Sequence, residues 1–439
     1  MKRYSEYKDS GVKWIGEIPE HWKIAPFGRH FSYGKGLPIT KADLQSEGTP
    51  VISYGQIHSK KNTGTKIDEN LIRYVHPSYI DTNPQSLLKE NDFIFADTSE
   101  DIEGCGNCAY NDINGNIFAG YHTVIARPQN ILFPKYYAYL FQSKNWKTQI
   151  QTLVNGVKVY SINRGILKQS ILLIPQKDEQ EAIVTYLDTK VAKIDEYISI
   201  AEKKIAALEE LKQTIIAEAV TRGIHKDVPM KYSGVKWIGM IPEHWTVCKM
   251  RKSIYEINIK NNPIKTTQIL SLTNKQGVIP YEDKGNQGNK AKEDISSYKI
   301  AFKDNIIMNS MNVIIGSVGL SNYEGCVSPV YYVYGIREGT DKHFINYICQ
   351  LSFFQKELRR FAKGILEIRL RVSSKDIQNT YIALPSLPEQ QEIVTYLDSK
   401  VASINQFCQA ERSQIEKLKE YKQRLISDVV TGKVKVTND

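Results

Sequence analysis

Residues 10–22 read "SGVKWIGEIPEHW" and residues 233–245 read "SGVKWIGMIPEHW", differing only at Glu17 against Met240. A second repeated pair lies downstream, "EQEAIVTYLDTKVAKID" at 179–195 and "EQQEIVTYLDSKVASIN" at 389–405. The first pair maps by adding 223 to each number (Trp14 to Trp237, Trp22 to Trp245) and the second by adding 210 (Tyr186 to Tyr396), so the stretch between markers is 13 residues longer in the first half. The chain is therefore built twice, each time as marker, variable block and long segment. A repeat of this length is an architectural signal that outranks any single motif.

The long segments are expected to be helices. Val184, Leu187, Val191, Ile194 and Ile198 step by three and four alternately, and Val394, Leu397, Val401, Ile404 and Cys408 follow the same register. That spacing is a coiled-coil seam. Both copies interrupt it at one place, with Lys212 and Lys422. About 40 residues give a helix of about 60 Å. Pro175 and Pro385 stand just before the two helix starts, as prolines often do.

The organisation expected is a marker at 1–22, a variable block at 23–174, a helix at 175–222, a linker and second marker at 223–245, a second block at 246–383, and a helix with tail at 384–439. The blocks hold short β-branched and aromatic runs such as "NDFIFADT" and "SPVYYVYGI", punctuated by Gly, Asn and Pro. Short helices are expected at 134–153 and 342–361. Each block reads as a compact α/β (α+β) domain with a mixed or antiparallel sheet. Each ends in a Gly-containing loop, "NGVKVYSINRG" or "KGILEIRLRVSS", then a short strand and the proline.

The totals narrow the class. With 439 residues, 41% hydrophobic and 24% charged, the chain reads as an ordinary soluble protein of two or three domains. No apolar run reaches the roughly 18 residues of a membrane span, and "MKRYSEYKDSG" has no apolar stretch of the secretory kind. Six cysteines in a chain this long are no disulfide scaffold. No membrane partner is expected, and the cytoplasm is the expected compartment.

Catalytic signatures are missing. No GxGxxG follows a strand, and neither a phosphate-cradling GxxxxGK[ST] loop nor HExxH occurs. The chain also lacks the Asn-Pro-Pro-aromatic and Asp-Pro-Pro-aromatic tetrapeptides of amino-methyltransferases, and no proline precedes an aspartate. Cys105 and Cys108 form CGNC with His122 downstream, but a structural zinc site usually takes two such pairs, so a tight turn is the preferred reading. "DTSEDIEG" gathers Asp97, Glu100, Asp101 and Glu103; it reads as a solvated acidic loop, a metal loop, or a carboxylate that accepts a hydrogen bond from cytosine. His21 and His244 sit beside tryptophans in a repeated architectural element, which favours packing over catalysis. No catalytic residue and no metal ligand is assigned.

The excess positive charge lies in the variable blocks. Block 23–174 carries 16 Lys and Arg against 12 Asp and Glu, and block 246–383 carries 20 against 12, within a net charge of +10. Arg359, Arg360, Lys363, Arg369 and Arg371 crowd around the second terminal loop, and Lys158 and Arg164 flank the first. Lys and Arg neutralise phosphates, and Arg also reads guanine bidentately. These seven are the candidate DNA-binding residues. Trp14, Trp22, Trp237, Trp245, Tyr186 and Tyr396, from the repeated parts, are candidates for partner docking or for structure.

The two markers and the two "EQ..IVTYLD.KVA.I" helix starts closely resemble the specificity subunit of type I restriction-modification enzymes, over the full length and in the family's order. The resemblance implies two α/β target recognition domains, each reading half of a bipartite DNA site. They would be joined by two long antiparallel coiled-coil helices with an internal pseudo-two-fold repeat. It further implies a non-catalytic chain around which two methyltransferase subunits and two restriction (translocase-nuclease) subunits assemble on double-stranded DNA. S-adenosylmethionine, ATP and Mg2+ would belong to those partners, with no cofactor in this chain. The alternatives are a recognition scaffold of a methylation-only system and a self-contained DNA-modifying enzyme. Repetition has a physical rationale: two identical partners need two equivalent docking surfaces, while the varied blocks read different sequences.

Overall fold

The computed structural model describes residues 2–129, 131, 133–156, 159–273, 277–285, 290–363 and 370–436. Two units divide it, Met1–Ala201 with Ser413–Asp439, and Glu202–Arg412. The expected long helices run Lys177–Arg222 and Leu387–Val430, 46 and 44 residues, and each contributes one part to each unit. Among the described residues no helix is long and apolar enough to cross a membrane.

Within each unit the chain makes the same sheet. In unit 1 the strand order is Phe31–Lys35, Thr123–Pro128, Phe93–Ala96, Cys108–Tyr110. In unit 2 it is Ile254–Ile257, Tyr331–Ile336, Ile306–Asn309, Val318–Leu320. All of these pairs are antiparallel. Both blocks close on themselves identically: Lys23–Pro26 pairs with Ile171–Ile174, and Thr246–Lys249 with Tyr381–Leu384. These strands obey the shifts of 223 and 210 residue for residue. A parallel pair, Val51 and Ile52 against Phe118 and Ala119, makes unit 1 mixed.

The short helices expected at 134–153 and 342–361 come as two in each segment. In the first, Ser143 turns extended between Pro134–Gln142 and Lys144–Leu153, and its hydroxyl caps the second helix by accepting from Trp146 N. In the second, Leu351 makes the same turn between Lys342–Gln350 and Ser352–Arg359. The break lets both helices bury a face against the sheet. Phe27 stacks on Phe31 at 4.1 Å between ring centroids and meets Phe141 and Trp146 beneath. Unit 2 puts Met250 and Phe354 in the corresponding core.

Candidate nucleic-acid interface and docking surfaces

The repeated motifs are one mechanical device. Glu179 opens the first long helix, and its Oε2 accepts from Trp22 Nε1 at 2.9 Å and lies 3.0 Å from His21 Nε2. In unit 2 Glu389 receives Trp245 Nε1 at 2.9 Å and lies 3.0 Å from His244 Nε2. The adjacent glutamines fold back, Gln180 donating to the Pro175 carbonyl and Gln390 to that of Pro385, each at 2.9 Å. The "EHW" of a marker thus locks onto the "EQ" of a helix start. Both histidines are committed to this lock.

Each marker also packs on the far end of a long helix. Ile15, Ile18 and Trp22 share a core with Val429 and Val430, as Ile238, Ile241 and Trp245 do with Ala219 and Val220. Gly432 and Gly223 end the two helices at φ +74° and +76°, the left-handed turn that glycine adopts at little cost. A Cβ on Gly432 would sit 2.4 Å from Pro19 Cδ. Lys435 N donates to Lys2 O at 3.0 Å, which brings the two ends of the described chain together in unit 1.

Trp22 and Trp245 are fully buried, so only the structural role is open to them. Trp14 and Trp237 are half-buried, the latter edge-on to Phe354. Tyr186 is half-buried and Tyr396 exposed, under Lys190 and Lys400 respectively, again 210 apart. The same shift exposes residues not anticipated from the sequence. Tyr197 and Phe407 are 64% and 62% exposed, and Leu211 and Tyr421 stand bare as well. Eleven residues make three helical turns, so Tyr197 lies on the face of Tyr186. Burial raises the Tyr186 phenol, and the neighbouring Tyr421 phenol raises it further through charge repulsion. Unit 1 therefore bears Tyr186, Tyr197 and Tyr421, and unit 2 their counterparts Tyr396, Phe407 and Leu211. Applying the 210 shift to outward positions of the heptads would have found them.

Of the seven candidate DNA-binding residues, Lys158 and Arg369 lie outside the described residues. Arg164 is half-buried at the start of a short helix capped by Asn163, whose side chain accepts from Ile166 N. Its charge opposes the burial that pushes Tyr33 up to about 12. Arg359 and Arg360 end the helix Ser352–Arg359, and Arg360 pairs with Glu357 at 3.0 Å. Lys363 and Arg371 are brought face to face across an antiparallel bridge.

The terminal loop adjoins another loop in both units. In unit 1 Tyr160–Ser161 pairs with Thr98–Ser99, and Ile162 N donates to Asp97 O at 2.8 Å. In unit 2 Val372 N donates to Ser310 O at 3.2 Å. The acidic stretch 97–104 and the uncharged "SMNVIIG" at 310–316 are thus equivalents with opposite chemistry. Asp101 Oδ1 accepts from Gly104 N at 2.7 Å, closing the acidic loop as a turn, and Asp97 lies 3.3 Å from His122 Nδ1. Behind it, Cys105 and Cys108 are buried free thiols. Burial pushes Cys108 up to about 12, and it accepts from Gln142 Nε2. No group of three potential ligands gathers around a metal position among the described residues.

The family model described as "Type I restriction modification DNA specificity domain" matches residues 19–210 and 242–417. The specificity subunit of type I restriction enzyme MjaVIII from Methanocaldococcus jannaschii is 22% identical over 457 residues, covering 98% of each chain. That of EcoKI from Escherichia coli K12 is 21% identical over 418 residues, 88% of this chain and 83% of that one. A chain of a type I R-M system, solved for its complex assembly and conformational transition, superposes with a TM-score of 0.67 at 16% identity. It covers 95% of this chain and 99% of that one.

Proposed function

Because the chain belongs to the type I restriction-modification DNA specificity family, we propose that it is the non-catalytic subunit that chooses the DNA sequence for its complex. Each variable block, 23–174 and 246–383, reads one half of a bipartite, asymmetric site on double-stranded DNA. Methyltransferase subunits, two in number, dock on the repeated surfaces, and restriction subunits join that assembly. S-adenosylmethionine, ATP and Mg2+ act on those partners. The observation that carries this reading is duplication with divergence: the same sheet, lock and exposed stripe recur, while the loops at 97–104 and 310–316 differ in charge.

Two equivalent stripes suit two copies of one partner. Introducing a carboxylate at an exposed aromatic removes apolar area and adds a charge that costs free energy to desolvate. Tyr197→Glu or Phe407→Glu alone should leave a complex with one methyltransferase subunit, and the double variant none, as read by the mass of the assembled complex. The unmodified chain alone should neither transfer methyl groups nor cut DNA. Turnover by the purified chain, or full assembly of the double variant, would refute the reading.

A further inference from the structure

We propose that Lys363 and Arg371 form a phosphate clamp in unit 2, holding one DNA backbone phosphate and fixing the protein's register without reading a base. The proposal rests on the DNA-specificity reading above and names one contact within it. Lys363 N donates to Arg371 O, and Arg371 N to Lys363 O, both at 2.9 Å. Such a doubly bonded antiparallel pair sets its Cα atoms about 5.5 Å apart with both side chains on one face. Both residues are exposed.

The backbone beneath them is firmly held. Lys363 follows a helical segment whose last turns continue through Phe361 N to Leu358 O and Ala362 N to Arg359 O. Arg371 precedes Val372, which is fully buried, donates to Ser310 O and accepts from Tyr332 Oη. The Arg371 guanidinium lies 3.9 Å from Met311 Sδ, on the loop equivalent to the acidic loop of unit 1.

Like charges directly opposite each other across a ladder are unfavourable. A single anionic group between them removes the repulsion and gains two charge-assisted hydrogen bonds. A phosphate carries that charge. A guanine edge offers two acceptors but no net charge, so it would leave the repulsion between the two cations standing. Phosphate contacts position a protein on the duplex, whereas base contacts specify.

The test uses the assembled methyltransferase complex with Lys363→Gln, Arg371→Gln and the double variant, on a duplex carrying the recognised site and on one lacking it. One phosphate contact contributes about 0.9 to the slope of log affinity against log salt. Between 50 and 200 mM salt the double variant should therefore lose about 3.5-fold less affinity than the unmodified complex. Both duplexes should weaken by the same factor, and the methylated sequence should stay the same. Lys363→Glu creates an attractive pair with Arg371, so it should bind DNA more weakly than Lys363→Gln while melting no lower than the unmodified chain. An unchanged slope, a changed ratio between the duplexes, or weak binding that tracks a lowered melting point would each overturn the clamp. An unmodified complex with no affinity for either duplex would overturn the specificity reading and the clamp with it.

Discussion

Glu179 shows how much one side chain can hold. Its carboxylate receives Trp22, faces His21 and accepts a further short hydrogen bond from Tyr4 Oη. Among the described residues Glu389 receives the tryptophan and the histidine and no tyrosine, since Asp227 stands where the first copy has Tyr4. Removing a buried acceptor leaves its donors unpaired, at about 1–3 kcal/mol for each group. Glu179→Ala should destabilise unit 1 by about 3 kcal/mol, and Glu389→Ala should destabilise unit 2 by about 2 kcal/mol. Urea titration followed by tryptophan fluorescence measures both, and equal losses would count against the third donor. The lock was half legible in the sequence. The repetition of "EHW" and "EQ" marked both partners, and packing was the preferred role for the histidines. What no periodicity could supply is that residues 22 and 179 meet, since their contact depends on how a whole block closes between them.

The long helices were legible as elements because a heptad seam states its period and length in the residues themselves. Their irregularities were legible too, as Lys212 and Lys422, but the partners of those lysines were not. Lys422 Nζ reaches both Asp195 carboxylate oxygens, at 2.7 and 2.8 Å, and Lys212 Nζ reaches Asn405 Oδ1 at 3.2 Å. Asp195 and Asn405 are themselves 210 apart, so across the seam the lysine meets a carboxylate in unit 1 and a neutral acceptor in unit 2, where Lys212 takes its ion pair along its own helix, from Glu209 at 2.5 Å. Asp195→Asn should destabilise unit 1 and Asn405→Asp should stabilise unit 2, each by about 0.5 kcal/mol given the partial exposure of the acceptor side. The effects should shrink in 1 M salt, where screening shortens to about 3 Å. Shifts of the same sign in both variants would show that the lysines are indifferent to the charge opposite them. Short helices were legible at 134–153 and 342–361, but the place of the break inside each was not, because apolar residues run across it; Ser143 was the available signal, and Leu351 carried none.

At the scale of the molecule, repetition in the sequence became repetition in the fold even where the letters diverge. The two blocks share little beyond their ends, yet the four-stranded order recurs, since burying the same helix pair and closing on the same proline-bounded strand demand the same scaffold. The candidate interface residues were harder to read. Charge counting found Lys363 and Arg371, but their opposition depends on a bridge formed across the intervening loop. Tyr186 and Tyr396 stood out because they lie in the repeated helix starts, whereas Tyr197, Phe407, Leu211 and Tyr421 were missed because an outward position on a heptad is normally polar.

Two scaffolds with different loops should read two different half-sites. The most direct measurement is a map of methylated adenines across a genome carrying only this chain and its methyltransferase. The expected result is one asymmetric sequence in two specified parts separated by an unspecified spacer. In the Lys363→Gln, Arg371→Gln variant the sequence should be the same, with fewer sites fully methylated. A palindrome, or a single continuous short site, would contradict the claim that each block reads its own half.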